Sequence, residues 1–312
     1  MTSPEPTTAA ATRADVDRAV LRLAPYARRT PTLTTVIDGH VVSLKLEHLQ
    51  LTGAFKLRGA LNALVAGQER GTVTDRVVTA SGGNHGLAVA TAARLLGLNA
   101  AVYVPETTPE AKARRLANSG AELVRIGEHY AVAAAAARER AERDNCPYLH
   151  AYDDPDVVAG QGTIGVEVLG DVPECDAIVA AVGGGGLIAG ISAAASPKRR
   201  AIGVEPQGCQ SLHAALAAGE PVDTPVDSVA SSALGAARIG AVPLATLGAH
   251  PAATALVSDA EIVSARDRLW EEFRLAVEPA AAAPLAAWLA GRVSAEHPCL
   301  VLCGANADWI PA

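Results

Sequence analysis

Short apolar runs rich in β-branched residues alternate with longer helical patterns along most of the chain. Seven of these runs have the length and composition of strands, and they cover residues 41–46, 76–79, 100–104, 122–126, 177–182, 201–204 and 299–302. Helical patterns follow most of them, including residues 109–119, 130–144, 211–218 and 281–293. Alternating strands and helices predict an α/β fold with open parallel sheets and helices on both of their faces.

Composition and charge narrow the class of protein. The chain has 312 residues, 50% of them hydrophobic and only 3% aromatic, so we expect two lobes with cores built mainly from alanine, valine and leucine. The formal net charge is −7, without a sustained lysine or arginine run. This argues against nucleic acid or an acidic membrane surface as a partner. The apolar runs also stay below the roughly 18 residues of a membrane span.

The cysteines and the first residues indicate the compartment. The five cysteines include no C-x-x-C pair and are odd in number, which favours reduced thiols in the cytoplasm over a disulfide framework or a zinc site. Residues 1–12 are polar and rich in proline, threonine and alanine, without an apolar signal core. We therefore expect a disordered leader on a soluble cytoplasmic protein.

Lys56 is the first candidate for chemistry. It directly follows the aromatic Phe55, and Arg58 lies two positions further on. Desolvation and a neighbouring cation both lower the pKa of an ammonium group, and such a lysine forms Schiff bases with carbonyl compounds. An ordinary lysine at the start of a helix, with its stem packed on the surface, fits the segment equally well.

Two glycine-rich segments each follow a predicted strand and precede a helical pattern. The first is Ser81-Gly82-Gly83-Asn84-His85-Gly86, where polar side chains would point at a ligand. The second is the glycine tetrad, residues 183–186, whose backbone amides could face one anion such as a phosphate at a helix N-terminus. The alternatives are a capped helix with a structural asparagine for the first turn and a close helix–sheet contact for the second.

Together these segments resemble a known family. Lys56, the Asn84 turn, the glycine tetrad and the terminal Cys303-Gly304-Ala305-Asn306 are similar in order and approximate spacing to the fold-type II pyridoxal-phosphate enzymes. The similarity is to the threonine/serine dehydratase and serine racemase branch, and it runs over most of the chain. It implies a tryptophan synthase β-like fold with pyridoxal 5′-phosphate in the cleft between two lobes. A large cofactor-binding domain would comprise residues 13–71 and 150–312, and a small domain residues 72–149.

The resemblance implies a role for each candidate residue. The cofactor would form a Schiff base with Lys56, pack near Phe55 and bond through its ring hydroxyl to Asn84. Further cofactor contacts would come from the phosphate-binding amides, the residue facing the pyridine nitrogen and a nearby acid, which are Gly183, Gly184, Gly185 and Gly186, then Cys303, then Glu278.

The same resemblance places the substrate. Its carboxylate would be bound by Ser81, Asn84 and His85. Ser231 falls near the pocket for the substrate side chain, although an ordinary loop serine fits its position as well.

The implied reaction is β-elimination of an L-3-hydroxy amino acid, such as threonine or serine, to a 2-oxo acid and ammonia. We also expect a homodimer. Racemisation and β-replacement, which occur in the same fold type, stay open. Gly82 stands where racemases of this family carry a second serine as acid/base, and this puts racemisation in doubt. We predict no metal site, because the segment after Glu205 carries no further acid before Glu220 and hard cations need several oxygen ligands.

A rival of another class uses the same glycine tetrad. Gly184-x-Gly186-x-x-Ala189 after a strand, with Glu205 about 20 residues on, also satisfies the dinucleotide fingerprint. That pattern would indicate an NAD-dependent dehydrogenase, but it leaves Lys56 and the Asn84 turn unexplained.

Overall fold

The computed structural model describes residues 9–195, 197 and 199–307, in which two β-sheets are surrounded by helices. The strands, in chain order, are β1 Thr32–Ile37, β2 His40–Lys45, β3 Arg76–Ala80, β4 Asn99–Val104, β5 Glu122–Arg125, β6 Ala177–Ala181, β7 Arg200–Pro206, β8 Ala253–Val257 and β9 Pro298–Val301. The helices are α1 Arg13–Leu23, α2 Lys56–Glu69, α3 Asn84–Leu95, α4 Glu110–Asn118, α5 Tyr130–Arg143, α6 Pro155–Asp171, α7 Gly186–Ala195, α8 Ser211–Ala218, α9 Ser231–Leu234, α10 Ala241–Ala249, α11 Asp259–Phe273 and α12 Pro279–Leu289.

The larger sheet has the strand order β1-β2-β9-β6-β7-β8, and the smaller has the order β3-β4-β5. Every neighbouring pair is parallel except the β1–β2 hairpin. The predicted fold class, open parallel sheets with helices on both faces, is therefore confirmed. The strands of the smaller sheet lie within residues 72–149, the span of the predicted small domain, whose bounds stay a prediction.

Two strands were missing from the predicted set. β1 is threonine-rich and mostly exposed at the sheet edge, so it lacks the apolar run of a buried strand. It is joined to β2 by Asp38 and Gly39, both with positive φ (51° and 81°), as a two-residue hairpin turn requires. β8 contains two alanines in five residues, a composition that is weak for a strand.

The predicted leader is too long. Residues 1–8 lie outside the described residues, but Ala11 is fully buried and its N–H donates to Thr246 Oγ1 at 2.9 Å. Thr12 caps α1, accepting a bond from the Asp15 N–H, while the Asp15 carboxylate accepts from the Thr12 N–H. Residues 11 and 12 are ordered because one is packed in the interior and the other closes a capping box.

Three helices cross at glycines. A Cβ on Gly160 of α6 would lie 2.7 Å from the Cα of Gly59 in α2, and one on Gly162 of α6 would lie 2.7 Å from the carbonyl oxygen of Gly190 in α7. A Cβ on Gly190 would in turn collide with the Val158 carbonyl oxygen. Because backbones touch without side chains between them, α6 fixes the starts of α2 and α7 relative to each other.

A buried charge cluster holds the first turn of α2. The Arg58 guanidinium, itself buried, pairs with Glu47 at 2.8 Å and Glu167 at 2.7 Å. Glu167 also pairs with the fully buried Lys45 at 2.6 Å, and Lys45 donates to the Thr30 carbonyl at 2.7 Å. Removing one member would leave an unpaired buried charge, at a cost of about 3–5 kcal/mol.

Within the described chain, the helices are too short or too polar to cross a membrane.

The glycine crossing can be tested by one methyl group. We expect Gly190→Ala to lower the free energy of unfolding by about 3 kcal/mol, because the added Cβ meets backbone atoms of α6 that cannot move independently. The matched control is Gly248→Ala in α10, where a Cβ meets nothing within 4 Å. The control should leave stability unchanged or raise it by up to about 1 kcal/mol. Denaturant titration measures both, and equal stabilities of the two variants would contradict the proposed close contact.

Candidate active site

A cleft of about 410 Å³ opens where strands of both sheets end. Segments that follow β3, β6 and β9 reach it, as expected for parallel strands whose carboxyl ends meet at a crevice. All the residues predicted for the site line this cleft, namely Phe55, Lys56, Ser81, Asn84, His85, Gly183, Gly184, Gly185, Gly186, Ser231, Glu278 and Cys303. The structure thus brings the predicted set together, while the role of each residue stays a prediction.

Lys56 begins α2 and extends its amine into the cleft. Its Nζ donates to the Ala151 carbonyl at 2.8 Å and lies 5.2 Å from the centroid of the Phe55 ring. Burial lowers the pKa of Lys56 to about 8, although the negative charge of Glu278 opposes the shift. The prediction that Arg58 lowers this pKa is wrong, since Arg58 is turned away into the ion pairs with Glu47 and Glu167.

The glycine tetrad turns its carbonyls into the protein. The Gly183 carbonyl accepts from Ser211 Oγ at 2.7 Å, that of Gly184 from the Gly240 N–H at 3.1 Å, and that of Gly185 from the Ala189 N–H at 3.0 Å. Among the described hydrogen bonds, none uses the N–H of Gly183, Gly184 or Gly185 as donor. These amides stand at the N-terminus of α7, where the helix dipole also favours an anion.

The alternative prediction for the tetrad, a close contact, also holds. A Cβ on Gly184 would collide with the ring of Tyr152, and one on Gly185 would lie 2.9 Å from atoms of Ile239 and Pro243. Gly185 also has a φ of +90°, which side chains rarely tolerate. The close partners are a tyrosine ring and neighbouring side chains, not the sheet.

Asn84 joins the two sheets across the cleft. Its Nδ2 donates to the Glu278 carboxylate at 2.9 and 3.2 Å, and its Oδ1 accepts from Asn306 Nδ2 at 2.8 Å. The Asn306 N–H also donates to Glu278, at 3.2 Å. Burial raises the pKa of Glu278 against these hydrogen bonds. The side chain of Asn84 is therefore held in place at the cleft from the opposite wall.

His85 and Ser81 flank Asn84 but differ in their contacts. The buried His85 ring donates from Nε2 to the Leu149 carbonyl at 3.1 Å, and burial lowers the pKa of His85 to about 3. Ser81 Oγ accepts from the Gly83 N–H at 3.3 Å. Because the His85 ring is neutral, the attraction of this turn for a carboxylate comes from the first N–H groups of α3.

Cys303 and Ser231 complete the predicted set. The Cys303 carbonyl accepts from the Phe55 N–H at 3.0 Å, which ties the end of β9 to the start of α2. Burial raises the pKa of the Cys303 thiol well above its usual range, so it carries no charge. Ser231 opens the short helix α9 and lines the cleft beside Ser232.

Several lining residues were absent from the sequence prediction. Tyr152 lies against Gly184 with its ring centroid 6.0 Å from Lys56 Nζ, and Lys112 of α4 also lines the cleft. Asn306 belongs to the terminal motif but had no role assigned. Lys112 and Arg115, three positions apart on α4, were the available signal, because such a spacing puts two side chains on one helix face.

The arrangement fits pyridoxal phosphate, the cofactor that the resemblance implies. The amine of lowered pKa suits an aldehyde, and the amides of the tetrad suit a phosphate. A neutral thiol and a fixed asparagine amide lie beside them for the ring edge. In the described part of the chain, histidine, cysteine, aspartate and glutamate side chains form no group of three or more that could hold a metal ion.

The dinucleotide alternative does not fit the structure. Glu205, which would bind the ribose, is fully buried and accepts from the N–H groups of Leu212 at 2.7 Å and His213 at 2.8 Å. Its carboxylate caps the start of α8 and is not open to a ligand.

Comparison with known proteins agrees with the geometry. L-threonine ammonia-lyase of Geobacter sulfurreducens is 41% identical over 276 residues, covering 86% of this chain and 68% of that protein. The biosynthetic L-threonine dehydratase of Mycobacterium tuberculosis is 40% identical over 291 residues, covering 88% and 67%.

Solved structures show the same likeness. Maize serine racemase superposes with a TM-score of 0.90 at 30% identity, covering 96% of this chain and 95% of that chain. A bacterial-type threonine deaminase, that of T.th., superposes with a TM-score of 0.88 at 34% identity, covering 96% and 100%. The model of the pyridoxal-phosphate dependent enzyme family matches residues 24–304, and the chain is a member of that family.

Proposed function

We propose that the protein catalyses the pyridoxal-phosphate-dependent β-elimination of an L-3-hydroxy amino acid, such as threonine or serine, to a 2-oxo acid and ammonia. The observation that carries the proposal is the Lys56 amine, whose pKa is lowered to about 8, in one cleft with the N-termini of α3 and α7. The names of the relatives, ammonia-lyase and threonine dehydratase, support this reaction.

The residues of the cleft would divide the binding task. Amides of Gly183, Gly184 and Gly185 hold the phosphate, and Asn84 contacts the ring edge. Phe55 packs beside the ring, and Glu278 holds Asn84 in place. The first N–H groups of α3, with Ser81, receive the substrate carboxylate. When bound, the cofactor withdraws electrons from the α-carbon of the amino acid.

Lys56 moves the proton. Half of an amine with a pKa near 8 is neutral at pH 8, so its Nζ can accept the α-proton without a strong base nearby. The Ala151 carbonyl, 2.8 Å from Nζ, fixes the direction of the amine. Loss of the β-hydroxyl with a proton gives water, and hydrolysis of the released enamine gives the 2-oxo acid and ammonia.

Cys303 and His85 add no charge to the cleft. Both groups are buried and neutral, since burial raises the pKa of the thiol and lowers that of the imidazole. A neutral thiol gives no electrostatic support to a protonated ring nitrogen. We infer that this favours rapid loss of the β-hydroxyl over transamination.

We further propose a homodimer in the cytoplasm, with residues 72–149 as a small domain. The five cysteines are all free, which supports a reducing compartment. The smaller sheet within residues 72–149 supports the domain division.

Replacing Lys56 tests the assignment. We expect Lys56→Ala to lose turnover of L-threonine and L-serine by at least about 10³-fold, because the variant lacks both the cofactor attachment and the proton acceptor. Borohydride treatment should fix the cofactor to the peptide containing Lys56 in the unmodified protein and leave the variant unlabelled. Lys56→Arg, which keeps the positive charge, should be equally inactive. Near-normal release of 2-oxo acid by Lys56→Ala would overturn the proposed function.

Stereochemistry is determined by Gly82. A side chain there would meet Thr108 no closer than 3.4 Å, which is ordinary contact, so Gly82→Ser should fold. The unmodified enzyme should eliminate L-serine in heavy water without forming D-serine, since no acid stands at this position. Gly82→Ser should form measurable D-serine, and the matched control Gly82→Ala should not. Efficient racemisation by the unmodified enzyme, or by Gly82→Ala, would show that another group supplies the proton.

A further inference from the structure

Two cations of α4 have no place in the chemistry described so far. Lys112 and Arg115 lie on the same face of α4, three positions apart. Lys112 lines the cleft near the Asn84 turn, and both cations line a narrow extension of about 30 Å³ beside Gly82 and Gly83.

Neither cation is neutralised by an ion pair. Among the described residues, no carboxylate lies within ion-pair distance of Lys112 or Arg115, and the Lys112 ammonium has no hydrogen-bond partner. Arg115 donates to the neutral Asn306 Oδ1. The Glu278 carboxylate is hydrogen-bonded by Asn84 and Asn306, and it attracts both cations only at longer range.

The excess charge exceeds what threonine or serine needs. Such a substrate carries one carboxylate, for which the first N–H groups of α3 are in place. Two unpaired cations beside that turn suit a second carboxylate, because a charge held in a partly buried cleft is stabilised by an opposite charge on the ligand. The extension has the volume of about one water molecule, which is room for a carboxylate group and not for a long side chain.

We propose that the preferred substrate is a 3-hydroxy amino acid with a carboxylate on its side chain, of which 3-hydroxyaspartate is the smallest. This substrate class rests on the proposed function. The Cα–H and Cβ–O bonds break, the hydroxyl leaves with a proton as water, and the resulting enamine is hydrolysed. The products are ammonia and a dicarboxylic 2-oxo acid, and no oxidant or reductant is needed.

The decisive measurement is a ratio of two kcat/KM values on the cofactor-loaded enzyme. Release of 2-oxo acid is compared between the diastereomers of L-3-hydroxyaspartate and L-threonine. We expect the unmodified enzyme to prefer one hydroxyaspartate diastereomer at least about tenfold. Lys112→Met and Arg115→Met, which keep an unbranched side chain without its charge, should each lower this ratio at least about tenfold.

Arg114→Met is the matched control. Arg114 is an exposed cation of the same helix that does not line either cavity, so its replacement should leave the ratio unchanged. A preference of the unmodified enzyme for threonine would overturn the proposal. An equal loss for both substrates in Lys112→Met and Arg115→Met would also overturn it, because the cations would then serve the carboxylate that both substrates share.

A binding measurement separates this proposal from the proposed function. Succinate should raise the melting temperature of the loaded enzyme more than butyrate, and Lys112→Met and Arg115→Met should remove the difference. If no 3-hydroxy amino acid is turned over, the proposed function fails even where succinate protects. If threonine is turned over but succinate and butyrate protect equally, only the acidic substrate class fails.

Discussion

The contact of α6 with α2 and α7 at glycines is the constraint on which the rest of the site depends. Helices with ordinary side chains between them stay about 8–10 Å apart, whereas here Gly59 meets Gly160 and Gly162 meets Gly190. One helix therefore fixes two helix N-termini, one carrying Lys56 and the other the glycine tetrad. The distance between the amine and the anion-binding amides is then set by backbone contact and not by flexible side chains.

Charges near the site are kept in separate environments. Arg58, only two positions from Lys56, is drawn into ion pairs with Glu47 and Glu167. Had it faced the cleft, it would have repelled cations there and competed for the phosphate. Its withdrawal leaves burial as the main cause of the lowered pKa of Lys56, so a cationic neighbour is not needed to free the amine.

Local patterns predicted more of the site than long-range ones. Each strand–turn–helix segment could be identified from adjacent residues, and parallel strands necessarily bring their carboxyl ends together. Tyr152 and Lys112 were missed because they reach the cleft from segments without a motif. β1 and β8 were missed because edge position and alanine content remove the apolar run. The direction of Arg58 could not be predicted either, since its partners lie 11 and 109 positions away.

Reaction and substrate choice use different walls of the cleft. The groups that would serve any amino acid, namely Lys56, the tetrad and Cys303, stand on the large-sheet side, where the glycine crossing and the end of β9 hold them rigidly. The unpaired cations belong to α4, beside the smaller sheet, and reach the cleft through long side chains. Substitutions on α4 can change the charge of the cleft without disturbing the spacing of amine and phosphate site. A fold built in this way keeps one chemistry while the side chain it accepts changes.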